Sequence, residues 1–143
     1  VELIRNYLEI QSMRFEGMVK FEIIIDDEIN AKEYMILPLL LQPVVENAFV
    51  HGLEEKKEKG TILINIYKCN NTINICVEDN GVGIDEEKIL MLNKALHTKQ
   101  NTSKSIGMRN VNQRIKIYYG KEYGVYIESV LKVGTRVIIT LPL

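Results

Sequence analysis

The sequence predicts an α/β two-layer sandwich in which helices pack over a β-sheet. Two pairs of segments alternate apolar with polar residues, as half-buried strands do, and stretches with helical spacing lie before and between them. The chain has 143 residues, the size of one compact domain, and its 46% hydrophobic and 26% charged residues are typical of a globular protein. A single domain around one core is therefore expected.

The first half of the chain is predicted to contain two helices and a strand. Apolar side chains recur at helical spacing over residues 1–14, which favours an amphipathic helix that enters the domain. Phe21–Ile25 is a short strand in this interpretation, and a second helix covers Pro38–His51. Pro43 interrupts the hydrogen bonds of that helix, and Gly52 ends it.

The second half is predicted to form two β-hairpins with two helices between them. Ile62–Val77 is the first hairpin, with the turn-rich connection Lys68–Thr72 at its centre, and Val125–Leu141 is the second. Helices are expected at Asp85–Leu96 and Gly107–Tyr119, the latter ended by Gly120.

Charge and composition exclude several classes of function. A net charge of −1 gives no basic field, so no nucleic-acid partner is expected and any anionic ligand has to be held locally. The longest apolar run, Met35–Leu41, contains Pro38 and is too short to span a bilayer. Cys69 and Cys76 lack CxxC spacing, which favours reduced thiols in the cytosol. Because the chain does not begin with Met, we expect it to be part of a longer protein.

The first motif that carries chemistry is Leu41–Gly52, at the end of the second predicted helix. The amide oxygen of Asn47 is a hard neutral ligand that suits Mg²⁺ shared with substrate phosphates. His51 lies one turn later and can donate to a phosphate oxygen. Taken alone, this spacing favours the plainer interpretation of a helix-end hydrogen bond and a surface histidine.

The second motif, Val77–Ile84, is more specific. A strand that ends in Asp-Asn-Gly-x-Gly puts the carboxylate of Asp79 at the strand end and lets the backbone pass close to a flat ligand. Asp79 can accept a hydrogen bond from an adenine amino group and disfavours the carbonyl of guanine. The alternative is an ordinary Asx turn, which Asp-Asn-Gly also favours.

The third motif is Ser105–Val111, which follows the polar segment Lys94–Ile106. It has a glycine at the start of a predicted helix. Unpaired N–H groups and the positive dipole end of a helix suit a triphosphate, and Gly107 lets the backbone come close. The alternative is a plain N-cap at Ser105. The polar segment has no apolar periodicity, which predicts a mobile lid.

In this order, and followed by Gly134-Thr135, the motifs resemble the N, G1, G2 and G3 boxes of the GHKL ATPase superfamily, and the chain resembles LytS/YesM-like sensor histidine kinases. The stretch Tyr7–Phe15 resembles the segment that joins the phosphoacceptor region of that family to its ATPase domain. The resemblance implies a linker end at residues 1–20 and a histidine kinase-like ATPase domain at residues 21–143. It also implies the Bergerat fold, a mixed sheet covered on one face by helices, with ATP between helices and lid.

The resemblance further implies a nucleotide-binding role for residues that lie in the four motifs: Asn47, His51, Asp79, Gly81, Gly83, Ile84, Gly107, Met108 and Thr135. The asparagine is expected to coordinate Mg²⁺, the histidine to reach the phosphates and the aspartate to read adenine. The two glycines of the second motif and the isoleucine line the base. The glycine and methionine of the third motif form the phosphate-side end of the lid, and the threonine approaches adenine through water.

The sequence departs from the family pattern in several places. Pro43 stands where gyrase-like and Hsp90-like ATPases carry a general-base glutamate, which speaks against their mechanism here. Val50 replaces a lysine of many relatives, and the third motif has only Gly107 instead of several glycines. Glu46 is a candidate catalytic residue that could position water or a lysine, although a solvated helix charge is an equally good interpretation.

The function implied is that of the ATP-binding catalytic domain of a two-component sensor histidine kinase, which uses ATP and Mg²⁺. Only His51 and His97 are present and neither has the context of that family's phosphoacceptor, so the acceptor is expected in a separate dimerisation domain of the parent protein. The parent is expected to be a membrane-bound homodimer that signals to a response regulator, with this domain in the cytoplasm.

Two alternatives stay open. One is a self-contained GHKL ATPase, against which Pro43 argues. The other is a degenerate nucleotide-binding module that acts only through protein contacts, against which Asn47, Asp79 and Gly83 argue.

Overall fold

The computed structural model describes residues 5–6, 9–10, 13, 19–30, 37–49, 59–96 and 106–143. Among them, five strands form one mixed sheet: β1 Val19–Ile25, β2 Gly60–Cys69, β3 Thr72–Asp79, β4 Gly124–Val130 and β5 Gly134–Pro142. Their order across the sheet is β1-β2-β3-β5-β4. Strand β1 runs parallel to β2, and the other neighbours are antiparallel. The predicted mixed sheet is confirmed.

Three helices are described: α1 Leu37–Asn47, α2 Glu86–Leu96 and α3 Ile106–Tyr119. Helix α2 begins where the sequence predicts, because Oδ1 of Asp85 accepts a hydrogen bond from the N–H of Lys88 at 2.9 Å and caps the first turn. Helix α3 ends at Gly120, which adopts φ 115° and donates its N–H to the carbonyl of Lys116 at 3.0 Å.

The core lies between one face of the sheet and the helices. In β2, Ile62, Ile64 and Ile66 are buried and the residues between them are half-exposed, so the side-chain alternation of the strand separates a covered face from an open one. Helix α1 contributes a dense set of buried side chains to that face: Leu40, Leu41, Val44, Val45, Ala48 and Phe49. The helix-covered two-layer sandwich is therefore confirmed.

The hairpin of β2 and β3 has a shorter connection than the predicted residues 68–72. Lys68 and Cys69 still pair with Ile73 and Thr72, so only two residues form the turn. The first of them, Asn70, adopts φ 53°, a left-handed conformation that asparagine tolerates.

Strand β4 is an edge of the sheet, and two asparagine side chains cover its outward N–H groups. Asn112 of α3 accepts from Val125 N–H at 2.9 Å and donates to the carbonyl of Leu96 at 2.8 Å. Asn93 of α2 accepts from Ile127 N–H at 3.0 Å and donates back to its carbonyl at 2.8 Å. These bonds satisfy the edge and fix both helices relative to the sheet.

Three predictions concern segments that are only partly described. The predicted end of the second helix, at residues 50–52, lies outside the described residues. The residues described within 1–14 are helical, and the remainder of that predicted helix lies outside the described residues. The predicted lid cannot begin at Lys94, because residues 94–96 form the last turn of α2 and Ala95 and Leu96 are buried. Residues 97–105 of that segment lie outside the described residues. No helix in the described part of the chain is long and apolar enough to cross a membrane.

Candidate functional site

A row of polar side chains crosses the end of the sheet on its helix-covered face. The strand registers pair Asp79 of β3 with Thr135 of β5, and Thr135 with Ser129 of β4. Asp79 and Thr135 are only 6% and 7% exposed, although the next residues on this face are the buried apolar side chains of the core. Polar groups so deep in a core need partners or a ligand, which marks this row as the candidate site.

The carboxylate of Asp79 is held by the turn that follows it. Its Oδ1 accepts from the N–H of Gly81 at 2.9 Å, which is an Asx turn. The side-chain oxygen of Asn80 accepts from Thr61 N–H at 2.8 Å, and the main-chain N–H of Asn80 donates to the Thr61 carbonyl at 3.3 Å. These two bonds tie the turn to β2. The Asx turn and a ligand-binding role are therefore compatible, because the turn orients the carboxylate at the end of β3.

Two glycines let main-chain segments approach one another beneath this row. Gly83 adopts φ 70°, and a Cβ there would overlap the carbonyl of Val130. A Cβ at residue 134 would overlap the carbonyl of Asp79. The sequence motif predicts that Gly83 lines the base. In the structure, packing against Val130 also requires a residue without a side chain at this position. A hydrogen bond from Lys132 N–H to the Val82 carbonyl, 2.6 Å long, closes the same contact.

Ser129 connects three parts of the site and was not singled out from the sequence. Its hydroxyl lies 2.8 Å from the N–H of Ile84, 2.8 Å from the carbonyl of Gly134 and 2.8 Å from the hydroxyl of Thr135. The available signal was weak: it is a polar residue at a position of β4 where the alternation set by Val125 and Ile127 calls for an apolar one.

The start of α3 meets the middle of α1. Gly107 is exposed in the first turn of α3, and a Cβ added to it would lie 3.5 Å from Cβ of Pro43, an ordinary contact. The first and third sequence motifs are thus neighbours in space. Met108 follows Gly107 but is only 4% exposed and packs in the core, so its side chain has a structural role as well as the predicted one.

Asn47 is the last residue of α1 and is half-buried, one turn beyond Pro43. The helix changes to wider π-type hydrogen bonding directly after it, a feature often found at functional sites. Glu46 is exposed, and His51 lies outside the described residues. Among the described residues no group of three or more His, Cys, Asp or Glu side chains could hold a metal ion. A Mg²⁺ ion carried by phosphates needs only one or two protein oxygens, and the amide of Asn47 fits that mode.

Chain topology brings the polar row and the N-terminus of α3 to the same end of the domain. Helix α3 and strand β4 are joined by the short connection 120–123 and run antiparallel, with Asn112 bonded to Val125. The N-terminus of α3 therefore points toward the end of β4 that carries Ser129. Helix α1 contacts that N-terminus through Pro43, and Asn47 lies one helical turn, about 6 Å along the axis, from this contact.

A cavity of about 520 Å³ lies behind the polar row, on the open face of the sheet. Its lining includes Leu63, Glu78 and Arg136, whose places in the strand alternation direct them away from the helices. Asp79, Ser129 and Thr135 of the polar row also line it. Arg136 lies 3.4 Å from Glu78 and 3.7 Å from Glu128, but these half-exposed pairs contribute little stability. We do not assign the nucleotide to this cavity, since the side chain of Asp79 faces the other side.

Comparison with known proteins gives sequence matches over most of the chain. The family model described as histidine kinase-, DNA gyrase B- and HSP90-like ATPase matches residues 36–143. Sensor histidine kinase YesM of Bacillus subtilis is 38% identical over 141 residues, which are 99% of this chain and 22% of that protein. Sensor protein LytS of Oceanobacillus iheyensis is 36% identical over 143 residues, which are 99% of this chain and 24% of that protein. The chain thus spans less than a quarter of the length of these two relatives.

Solved structures share the fold. The catalytic domain of histidine kinase ThkA gives a TM-score of 0.68 at 21% identity, over 99% of this chain and 90% of that one. Histidine kinase ThkA in complex with the response regulator protein TrrA gives a TM-score of 0.62 at 23% identity, over 99% of this chain and 39% of that one.

Proposed function

The chain belongs to the family of histidine kinase-, DNA gyrase B- and HSP90-like ATPases, and from this premise we propose that it binds Mg-ATP and transfers the γ-phosphoryl group to a histidine in another domain of its parent protein. The observation that carries the proposal is the buried pair of Asp79 and Thr135 at the end of β3 and β5, beside glycines that leave room for close approach. Such a pair of oxygen acceptors suits the amino group of adenine.

Different residues of the chain bind the base and the phosphates of ATP. Asp79 accepts from the adenine amino group, and the turn at Gly81 keeps its carboxylate in place. The N-terminus of α3, where Gly107 is exposed, offers main-chain N–H groups and a positive dipole end to the phosphates. Asn47, one helical turn beyond the Pro43 contact with α3, offers an amide oxygen to Mg²⁺, which neutralises triphosphate charge.

Transfer depends mainly on position. With base and phosphates held at separate points, the γ-phosphate is presented in a fixed direction to an incoming nucleophile. Pro43 has no group that can accept a proton, so activation of water at that position is disfavoured, and Glu46, exposed beside Asn47, is the remaining acidic candidate on α1. The lack of a proton acceptor at Pro43 favours transfer to a protein histidine over hydrolysis.

The proposal includes partners and location. The acceptor histidine lies in the dimerisation domain of the parent, which we infer to be a homodimer in the cell membrane with this domain on the cytoplasmic side. The response regulator in the ThkA complex supports a response regulator as the final acceptor of the phosphoryl group.

The test follows label from γ-labelled ATP to a separately supplied phosphoacceptor domain of the same parent. We expect acid-labile, base-stable label on the acceptor and none on this chain. Asn47→Ala should abolish transfer, whereas Asn74→Ala, whose amide bonds to Thr72 and Thr140 elsewhere in the sheet, should not. Label on this chain alone, or full transfer by Asn47→Ala, would overturn the proposal. Release of inorganic phosphate without transfer would favour the self-contained ATPase.

A further inference from the structure

Ser129 sits at the centre of a hydrogen-bond network that no assigned function uses. Its hydroxyl has one hydrogen to donate and two lone pairs that accept. The three groups within 2.8 Å of it are the N–H of Ile84, the carbonyl of Gly134 and the hydroxyl of Thr135.

When all three contacts are hydrogen-bonded at once, the chemistry of these groups fixes the direction of each bond. The N–H of Ile84 can only donate, and the carbonyl of Gly134 can only accept. Ser129 therefore donates its single hydrogen to Gly134. The contact with the Thr135 hydroxyl is then satisfied only if Thr135 donates to Ser129. All four groups are paired in this arrangement, as expected for part-buried polar atoms.

We propose that Ser129 is a positioning residue that makes Thr135 an obligatory acceptor in the nucleotide site and thereby helps to select a 6-amino purine over a 6-oxo purine. The inference rests on the proposed function. With its hydrogen held by Ser129, the Thr135 oxygen offers only lone pairs to a ligand or to a water beside Asp79. Asp79 and Thr135 then form two adjacent acceptors on paired strands, which suit a donor and repel a carbonyl oxygen.

The same hydroxyl also fixes the wall of the site. By accepting from Ile84 N–H, Ser129 joins the loop after β3 to strand β4, a contact between residues far apart in the sequence. The overlap that a side chain at Gly83 would make with the Val130 carbonyl shows how closely this loop and hairpin pack. Loss of the hydroxyl therefore removes one tether of the loop as well as the partner of Thr135.

The experiment compares binding of ATP and ITP, which differ at the 6-position of the purine, by calorimetric titration of the isolated chain. Ser129→Ala should lower the affinity for ATP about tenfold, the order expected when a hydrogen-bond arrangement is lost. It should reduce the selectivity for ATP over ITP by a similar factor. Ser129→Thr keeps a hydroxyl and should restore selectivity. Thr140→Val removes a threonine hydroxyl bonded to Asn74 at the other end of β5 and should leave the affinities for ATP and ITP unchanged.

A double-mutant cycle separates positioning from a general structural effect. If Ser129 acts through Thr135, Ser129→Ala should change selectivity little once Thr135→Val is present. Equal selectivity changes in both backgrounds, or unchanged selectivity of Ser129→Ala, would overturn the inference. If Ser129→Ala does not fold, Ser129→Cys makes the same comparison with a side chain of similar size and weak hydrogen bonding. Failure of the wild-type chain to bind ATP would instead refute the proposed function.

Discussion

The main-chain oxygen of Asp79 occupies the space into which a side chain at Gly134 would project. The two residues lie at the junction of β3 and β5, one position out of register, since Asp79 pairs with Thr135. The glycine thus allows β5 to begin close enough to β3 for the Asp79 and Thr135 side chains to stand next to each other. The Gly-Thr pair of the sequence is explained by packing within the chain as well as by any ligand.

Gly134→Ala should therefore destabilise the fold. The added methyl group meets main chain that cannot move without breaking the β3–β5 pairing, and the expected loss is about 2–3 kcal/mol of unfolding free energy, typical of overpacking. Chemical denaturation with a circular dichroism signal measures it. A loss below about 0.5 kcal/mol would show that the strands can separate freely at this point.

Gly107→Ala should behave in the opposite way. A Cβ there makes only an ordinary 3.5 Å contact with Pro43, and alanine favours a helix, so stability should be unchanged or slightly higher. Because the added methyl group narrows the approach of phosphates to the start of α3, nucleotide affinity should fall about tenfold or more. A variant with native stability and undiminished ATP affinity would contradict a phosphate site at this end of the helix.

Asn112→Ala should be among the more destabilising polar substitutions. The side chain is 1% exposed, and its loss leaves the Leu96 carbonyl and the Val125 N–H without their partner. We expect a loss of about 2–3 kcal/mol. Asn93→Ala removes the equivalent pair of bonds at a half-buried position, where water can replace them, and should cost clearly less. An equal cost for both variants would contradict the role of burial.

The sequence predicted the strands and most helix bounds because those depend on local patterns. Alternation of Ile62, Ile64 and Ile66 and the cap at Asp85 needed no knowledge of distant residues. Ser129 and Asn112 could not be assigned in this way, since their partners are brought together only by strand register and helix packing. The predicted start of the lid at Lys94 was wrong. The polar composition of the segment indicated a loop, but residues 94–96 form the last turn of α2, where Ala95 and Leu96 are buried.

The two cysteines should differ in reactivity. Burial raises the pKa of the Cys76 thiol, and nearby Glu78 and Glu128 add to this, while Arg136 opposes it. Since the thiolate is the reactive form, alkylation of Cys76 near pH 8 should be much slower than alkylation of exposed Cys69.

Substitution of Arg136 checks the cause of the raised Cys76 pKa. Arg136→Gln removes a group that lowers the Cys76 pKa and should slow alkylation further. Because the folded pKa is raised, the thiol contributes stability that is present below the unfolded pKa and lost as the pH rises through the folded pKa. Mass spectrometry of both cysteines over time gives the rates, with the denatured chain as control. Equal rates in the native chain would contradict the burial of Cys76.

The central claim is that Asp79 reads the base of ATP, and Asp79→Asn tests it most directly. The asparagine keeps an oxygen that can accept from Gly81 N–H, so the turn and the circular dichroism spectrum should stay native. Its other atom becomes a donor, which opposes the donor of the adenine amino group. Calorimetric titration should therefore show that Asp79→Asn loses most of the ATP affinity of the wild-type chain. Unchanged ATP affinity in a natively folded variant would contradict the account.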